Sequence, residues 1–121
     1  HVGSFTVIGG MTPVHQFVHI GEGVMIGGAS AVSQDIPPFC LAEGNRAVVR
    51  GLNSVGLKRR FEREDIVNIQ STYKQLFRSE NPIKETAAKL LMNESNEKVL
   101  QMCNFIMESK RGIPYERKNN G

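Results

Sequence analysis

The sequence predicts a left-handed parallel β-helix of hexapeptide repeats, of which the last turns are present, followed by a C-terminal α-helical domain. Three observations predict this fold class: an aliphatic residue at every sixth position of residues 2–32, a proline pair after the repeat, and helical spacing of apolar residues beyond residue 53. The expected domains are the β-helix turns at residues 1–38, an extended connection at residues 39–52 and the α-helical domain at residues 53–121.

The six-residue period runs without interruption through the first part of the chain. A period of six fits neither an amphipathic helix nor a free strand, because the chain must turn a corner every six residues. Three such segments make one triangular turn, with aliphatic anchors pointing to the axis and turns stacked about 4.8 Å apart. Pro37 and Pro38 remove two ladder donors and are expected to end the stack. The anchors are Val2, Ile8, Val14, Ile20, Ile26 and Val32.

The predicted turns form a small core. Residues 2–37 supply two turns of 18 residues, whereas stacked repeats generally need about three units and a cap to bury a continuous core. The chain also begins at His1, in the middle of the pattern and without an initiator Met. We therefore expect it to be the C-terminal part of a longer protein whose earlier turns lie upstream.

Four helices are predicted beyond residue 52, because apolar residues recur there at three- and four-residue spacing. Residues suited to a helix N-terminus precede several of these segments. The polar tail from Ile113 is expected to fray. The predicted helices are residues 54–60 capped by Asn53, residues 62–77, a third that starts at Asn81-Pro82, and a fourth that runs from its cap Ser95 to a stop at Gly112.

Composition and charge narrow the function classes. All 15 Lys and Arg residues follow residue 45, whereas the three charged residues before it are acidic. The basic C-terminal part suits anionic partners such as phosphates or an acidic protein, or is a solvated helical surface; no nucleic-acid partner is expected. No apolar run approaches the roughly 20 residues of a membrane span. Cys40 and Cys103 lack metal-ligand spacing and are expected to be reduced thiols of a cytoplasmic protein.

Three segments carry more functional information than the repeat, which predicts a fold but not an activity. They are residues 8–17 (IGGMTPVHQF), residues 27–38 (GGASAVSQDIPP) and residues 51–60 (GLNSVGLKRR). Together with residues 109–113 (SKRGI) they resemble the C-terminal half of the acyl-carrier-protein-dependent UDP-N-acetylglucosamine O-acyltransferases. That family performs the first step of lipid A biosynthesis.

The resemblance implies a homotrimer with active sites in the clefts between adjacent β-helices. A (3-hydroxy)fatty acyl group would move there from acyl carrier protein to UDP-N-acetylglucosamine or its 3-amino analogue. The donor is the acyl-phosphopantetheine arm of the carrier, and no bound cofactor and no metal are expected. A histidine general base is implied about one turn before His1, so no catalytic residue is expected in this chain.

The resemblance also places substrate contacts in this chain. His15 and Gln16 are expected to contact the sugar nucleotide in the cleft between subunits. Asn53 is expected to direct its amide at the substrate, although an N-cap role explains the same residue. Arg59 is assigned to the UDP phosphates or the carrier arm, because a guanidinium binds a diphosphate bidentately, and Arg60 is the second choice.

A groove for the acyl chain is expected along the β-helix wall. Gly10 and Gly28 are second glycines after Gly9 and Gly27, and a relaxed corner explains the pair less readily than it explains one glycine. The resemblance implies that the residue in the position of Gly28 sets the accepted chain length. Met25 is expected to line the same groove.

Other functions remain open on the residues alone. One is a related sugar N-acyltransferase of the hexapeptide class, and another is a non-enzymatic hexapeptide scaffold subunit. A carbonic-anhydrase-like metal site needs histidines gathered across turns, which the spacing of His15 and His19 does not provide. A catalytic histidine in the upstream turns would favour an enzyme over a scaffold.

Overall fold

The computed structural model describes residues 1–10, 12–28 and 30–116. Met11 of the GGMT motif and residues 117–121 therefore lie outside the described residues. The described chain contains a four-stranded sheet with strand order β1-β2-β3-β4 and four helices. Among the described residues, none of the four helices combines the length and the apolar character that a membrane span requires. The elements are β1 (Val7–Ile8), β2 (Met25–Ile26), β3 (Cys40–Glu43), β4 (Val48–Leu52), α1 (Ser54–Arg60), α2 (Arg63–Phe77), α3 (Ile83–Asn93) and α4 (Glu97–Glu108).

The first residues form stacked parallel coils, as the six-residue period predicts. Val2 pairs with Ile20, β1 pairs with β2, and Val14 pairs with Val32, always in parallel and 18 residues apart. The anchors of the second coil point to the axis, and Ile20 is 1% exposed. Val2 is 50% exposed, because no described coil covers the first one. The stack thus has a closed end and an open apolar end.

The second coil is shorter than the 18 residues predicted. Ile20 pairs with Ile36, and β2 pairs in parallel with β3, so the offset falls from 18 residues to 16. The missing residues lie between Val32 and Ile36, because Val32 still pairs with Val14 at the full offset. Ile36 therefore occupies an anchor position and is fully buried.

The expectation that the proline pair ends the stack is wrong. Pro37 and Pro38 lie between the Ile20–Ile36 pair and the start of β3, so their missing N–H groups fall outside the paired segments. The segment expected to be an extended connection forms a hairpin instead, in which β3 pairs antiparallel with β4.

The residues after α4 do not fray at Ile113. The backbone N–H of Val49 in β4 donates to the carbonyl oxygen of Pro114 at 2.7 Å, and Val49 also forms a parallel bridge with Tyr115. The Tyr115 ring packs edge-on against Phe77 of α2. This return of the chain to the hairpin could not be read from the polar composition of the tail.

The helices form close to the predicted positions. Helix α1 has the predicted bounds, and the side chain of its N-cap Asn53 accepts from the N–H of Gly56 at 3.1 Å. The buried face of α2 includes Ile69, Tyr73 and Leu76, as the spacing predicts. The remaining boundaries differ from prediction by a few residues: α2 begins at Arg63, α3 begins after its N-cap Pro82, and α4 is capped by Asn96 rather than Ser95 and ends at Glu108 before Gly112.

Stacked residues at one corner of successive coils contact the helical part of the chain. Phe5, Gly23 and Phe39 occupy equivalent positions of successive coils, and all have positive φ, at 41°, 68° and 70°. A Cβ at Gly23 would lie 2.6 Å from the Phe5 ring, so glycine makes room for the phenylalanine above it. The Phe61 ring, between α1 and α2, meets both phenylalanines edge-on at 5.8 Å and 5.5 Å. This aromatic contact fixes α1 against the coil stack.

Candidate functional site

The side chains of His15, Gln16 and Phe17 lie at one exposed coil corner, which we call the substrate corner because substrate contacts were predicted there. Backbone hydrogen bonds fix this corner. The N–H of His15 donates to the carbonyl oxygen of Val32 at 2.7 Å, and the N–H of Val18 donates to the carbonyl oxygen of His15 at 3.3 Å. These bonds direct the side chains of His15 and Gln16 outward, as predicted for surface contacts. Phe17 beside them is 67% exposed. A polar pair next to an exposed aromatic ring is suited to binding a polar organic ligand.

Arg111 joins this corner from the far end of the chain. Its Nη2 contacts His15 Nδ1 and lies 3.2 Å from His15 Nε2. Its guanidinium carbon lies 6.0 Å from the centre of the Phe17 ring, which is within reach of a cation–π contact. The resemblance of residues 109–113 to the family was a sequence signal for this segment, but no local pattern indicated that it packs on residue 15.

A buried carboxylate holds the segment that carries Arg111. Asp35, 1% exposed, lies in the shortened coil. One carboxylate oxygen accepts from the N–H of His19 at 2.7 Å, and the other accepts from the Ser109 hydroxyl at 2.5 Å and from the N–H of Arg111 at 3.4 Å. The N–H of Asp35 donates in turn to the carbonyl oxygen of Gly112 at 3.0 Å. We call residues 109–112 the strap. Sequence reasoning missed Asp35, because an aspartate before a proline pair resembles a solvated turn residue.

Asn53 lies below the surface rather than in a cleft. It is 4% exposed, its Nδ2 donates to the carbonyl oxygen of Gly23 at 2.9 Å, and its Oδ1 accepts from Gly56. A Cβ at Gly56 would lie 2.4 Å from Asn53 Nδ2, which explains the glycine in the first helical turn. The geometry shows the capping role directly. A contact with substrate would depend on the second amide hydrogen of Nδ2 and remains a prediction.

The two arginines at the end of α1 differ in their surroundings. The guanidinium carbon of Arg60 lies 4.7 Å from the centre of the Phe5 ring, so Arg60 already makes a cation–π contact. Arg59 is exposed and makes no hydrogen bond, ion pair or ring contact with the described residues. Of the two, Arg59 is therefore the cation without a partner among the described residues, and its contact with a phosphate remains a prediction.

The paired glycines have separable roles. A Cβ at Gly9 would lie 2.5 Å from the backbone nitrogen of Gly28, so the first glycine is required by close packing of coils. A Cβ at Gly10 would meet nothing within 4 Å, and one at Gly28 would meet the Gly10 carbonyl oxygen at 3.4 Å. Gly10 therefore faces open space, and a Cβ at Gly28 would make an ordinary van der Waals contact. Met25 is half-buried and points outward, since Ile26 takes the inward position at 1% exposure.

The three histidines of the chain do not cluster. The His19 ring lies 6.4 Å from that of His1, whereas His15 meets Arg111. Within the described ranges no three His, Cys, Asp or Glu side chains gather closely enough to hold a metal ion. A cavity of about 580 Å³ lies between the coil corners and α4, lined in part by His1, His19 and Glu108. None of the predicted site residues is among its described lining residues. The predicted site residues therefore lie outside this cavity.

Cys40 and Cys103 are both free and buried, as expected for reduced thiols. Burial raises the pKa of the Cys40 thiol, and burial, with a contribution from Glu94, raises the pKa of Cys103 to about 11. Both side chains are consequently packing residues, protonated at neutral pH.

Comparison with known proteins finds a matching family model and similar sequences. The family model described as UDP N-acetylglucosamine O-acyltransferase, domain 2, matches residues 35–114. An acyl-[acyl-carrier-protein]–UDP-N-acetylglucosamine O-acyltransferase of Nautilia profundicola is 62% identical over 115 residues, which is 94% of this chain and 44% of that protein. A corresponding Campylobacter jejuni protein is 58% identical over 96% of this chain and 44% of its own length.

Solved structures give the same result. The UDP-N-acetylglucosamine acyltransferase from Campylobacter jejuni aligns with a TM-score of 0.92 at 57% identity, over 96% of this chain and 46% of that one. The Arabidopsis enzyme aligns with a TM-score of 0.81 at 35% identity, over 90% of this chain and 42% of that one. The chain thus spans less than half the length of the relatives it matches. It belongs to the UDP-N-acetylglucosamine O-acyltransferase family.

Proposed function

We propose that this chain is the C-terminal part of a cytoplasmic, homotrimeric acyltransferase that moves a (3-hydroxy)fatty acyl group from acyl carrier protein to UDP-N-acetylglucosamine or its 3-amino analogue. The reaction would be the first step of lipid A biosynthesis. The observation that carries the proposal is the 62% identity, over nearly the whole chain, to a protein named for this reaction.

The open end of the coil stack supports a larger protein. Val2 and Val14 are aliphatic anchors of the first coil and are 50% and 37% exposed, whereas the second-coil anchors Ile20, Ile26 and Val32 are buried. A preceding coil stacked on this end would cover them, with roughly 25 cal/mol gained for each Å² of apolar surface removed from water. We propose that the coils wind in the left-handed sense, which the hexapeptide period and the family relationship support.

In the proposed reaction the residues of this chain bind the nucleotide sugar and the acyl chain, and they do not transfer the proton. In the proposed reaction the sugar 3-hydroxyl (or 3-amino) group attacks the thioester carbonyl, so that an ester (or amide) bond forms and the carbon–sulfur bond breaks. A general base in the preceding coil takes the acceptor's proton, and the pantetheine thiol leaves with a proton. His15, Gln16 and Arg59 would hold the nucleotide sugar. The open space at Gly10 and the missing side chain at Gly28 would hold the acyl chain, and Met25 would line it.

A trimer is supported by the position of these residues on the outside of the coils. The substrate corner is an open surface in one chain, and a second coil stack against it would supply the other wall of a cleft. Sites between subunits would also explain why the exposed Phe17 is tolerated.

Acyl transfer is the test of the proposal. A protein that joins the preceding coils to residues 1–121 should transfer acyl groups from acyl carrier protein to the UDP-sugar and should run as a trimer in light scattering. Residues 1–121 alone should be inactive, because the general base is upstream. Transfer by residues 1–121 alone would show that the base lies within this chain, and an inactive longer protein would favour a scaffold.

A further inference from the structure

Arg111 lies against the substrate corner without the partners that ordinarily explain a surface arginine. Within residues 1–10, 12–28 and 30–116 its guanidinium forms no ion pair with a carboxylate. Its Nε is buried and has no hydrogen-bond partner among the same residues. A buried unsatisfied donor is destabilising, and a side chain extended into solvent would avoid it. Packing of the strap therefore does not explain the conformation of this side chain.

The backbone of Arg111 is fixed by contacts with Asp35 and Gln34. The Arg111 N–H and the Ser109 hydroxyl both donate to Asp35, and Gln34 Nε2 donates to the carbonyl oxygen of Arg111 at 3.2 Å. Gly112 turns the chain at a φ of 82°, where a Cβ would lie 2.9 Å from Gln34 Nε2. These contacts fix the backbone of Arg111 beside the coil corner that carries His15.

The contact with His15 restricts the imidazole. A guanidinium donates hydrogen bonds and accepts none, so the ring nitrogen it contacts must be an acceptor. Arg111 Nη2 contacts Nδ1 and is farther from Nε2, at 3.2 Å. We assign the acceptor role to the nearer nitrogen, Nδ1, and this assignment leaves the ring proton on Nε2. A histidine held in this way offers a donor to an oxygen atom of a bound ligand.

We propose that Arg111 is a positioning residue: its guanidinium holds His15 in one ring orientation and in the tautomer protonated on Nε2, so that His15 donates to the nucleotide sugar. This inference rests on the proposed role of His15 in substrate binding. It assigns Arg111 a function that operates through His15 rather than through direct contact with the ligand.

A double-mutant cycle tests the coupling in the protein that contains the preceding coils. Arg111→Met should lower kcat/KM for the UDP-sugar about 10- to 100-fold, mainly through KM, and Arg111→Lys should recover part of the loss. His15→Ala should cause a similar loss. The double variant should lose no more than His15→Ala does, because residues that act through one another are not additive. Lys110→Met is the matched control, since it removes the neighbouring exposed charge and should behave like the parent protein.

A spectroscopic measurement tests the tautomer independently of turnover. In protein labelled with ¹⁵N-histidine, the His15 ring signals, assigned by their loss in His15→Ala, should show the proton on Nε2. Arg111→Met should move them toward an average of both tautomers. Multiplied losses in the double variant, parent-like kinetics of Arg111→Met, or a proton on Nδ1 in the parent would each overturn the inference. If the parent transfers no acyl group, the proposed function fails, and the ring signals still decide the role of Arg111.

Discussion

Replacement of Asp35 by alanine should detach the strap and destabilise the protein. The carboxylate accepts two short hydrogen bonds, at 2.7 Å from His19 and 2.5 Å from Ser109, and a long one at 3.4 Å from Arg111. Hydrogen bonds to charged groups contribute about 1.5–3 kcal/mol each, so the two short bonds give about 3–6 kcal/mol. Removing a buried charge offsets part of this loss. We expect the free energy of unfolding to fall by about 2–4 kcal/mol.

Urea unfolding followed by circular dichroism measures this change, and hydrogen exchange locates it. Amides of residues 109–116 should exchange faster in Asp35→Ala, whereas amides in the centre of α2 should change only by the global loss of stability. Asp35→Asn keeps one acceptor and should lose about half as much. Glu43→Ala, which removes an exposed carboxylate, should change stability by no more than about 0.5 kcal/mol. Unchanged stability and exchange in Asp35→Ala would refute the view that this carboxylate holds the strap.

Three further outcomes follow from the site. Gly28→Met should shift acyl preference toward shorter chains, because the side chain would fill open space that otherwise holds terminal methylenes, each worth about 0.8 kcal/mol; the ratio of kcat/KM for long and short donors measures it. Arg59→Ala should lower kcat/KM about 10- to 150-fold, since a charge-assisted contact is worth roughly 1.5–3 kcal/mol. Cys103 should resist thiol reagents at pH 8 until the protein unfolds. Its folded-state pKa of about 11 exceeds the ordinary 9.0, so its contribution to stability is complete below pH 9 and is lost as pH rises toward 11.

Matched variants separate these effects from general damage. Gly9→Ala should destabilise the coils without changing acyl preference, because its Cβ would strike backbone. An equal loss of all donors in Gly28→Met would place the acyl groove elsewhere. Lys89→Ala removes an exposed cation paired with Glu85 on α3 and should leave substrate use intact. Should Arg59→Ala match it, the phosphate role of Arg59 is wrong. Rapid labelling of native Cys103 would contradict its burial.

The regular part of this fold could be predicted from the sequence because its interactions repeat locally. The six-residue spacing reports which side chains point to the axis, and Ile20 and Ile26 lie where it predicts. The N-cap at Asn53 was equally local, since the capping bond spans three residues. Helix ends were less accurate: Ser95 and Asn96 are both suitable caps, and nothing in the local sequence chooses between them.

The strap could not be predicted, because its contacts join residues far apart in the chain. Ser109 and Asp35 are separated by 74 residues, and Arg111 and His15 by 96. The hairpin was missed for a related reason: β3 and β4 pair antiparallel after a parallel stack, and the hexapeptide pattern gives no signal for that change. In the candidate site the exposure of His15 and Gln16 could be predicted from the sequence. The partner of His15 required the structure, and the acyl groove remains a prediction.

The 16-residue coil has a consequence for how the chain finds its native pairing. Coils of equal length offer each strand several nearly equivalent neighbours, so a growing stack could slip by one whole coil with little loss of contact. The shortened coil breaks that equivalence, because its corner between Val32 and Ile36 fits the other coils in neither length nor side chains. It carries the buried carboxylate that Ser109 and Arg111 require, so α4 and its extension can close at this coil alone. One irregular coil near the end of a regular stack thus specifies the register of strand pairing, because only one alignment of the coils places it beside α4 and the strap.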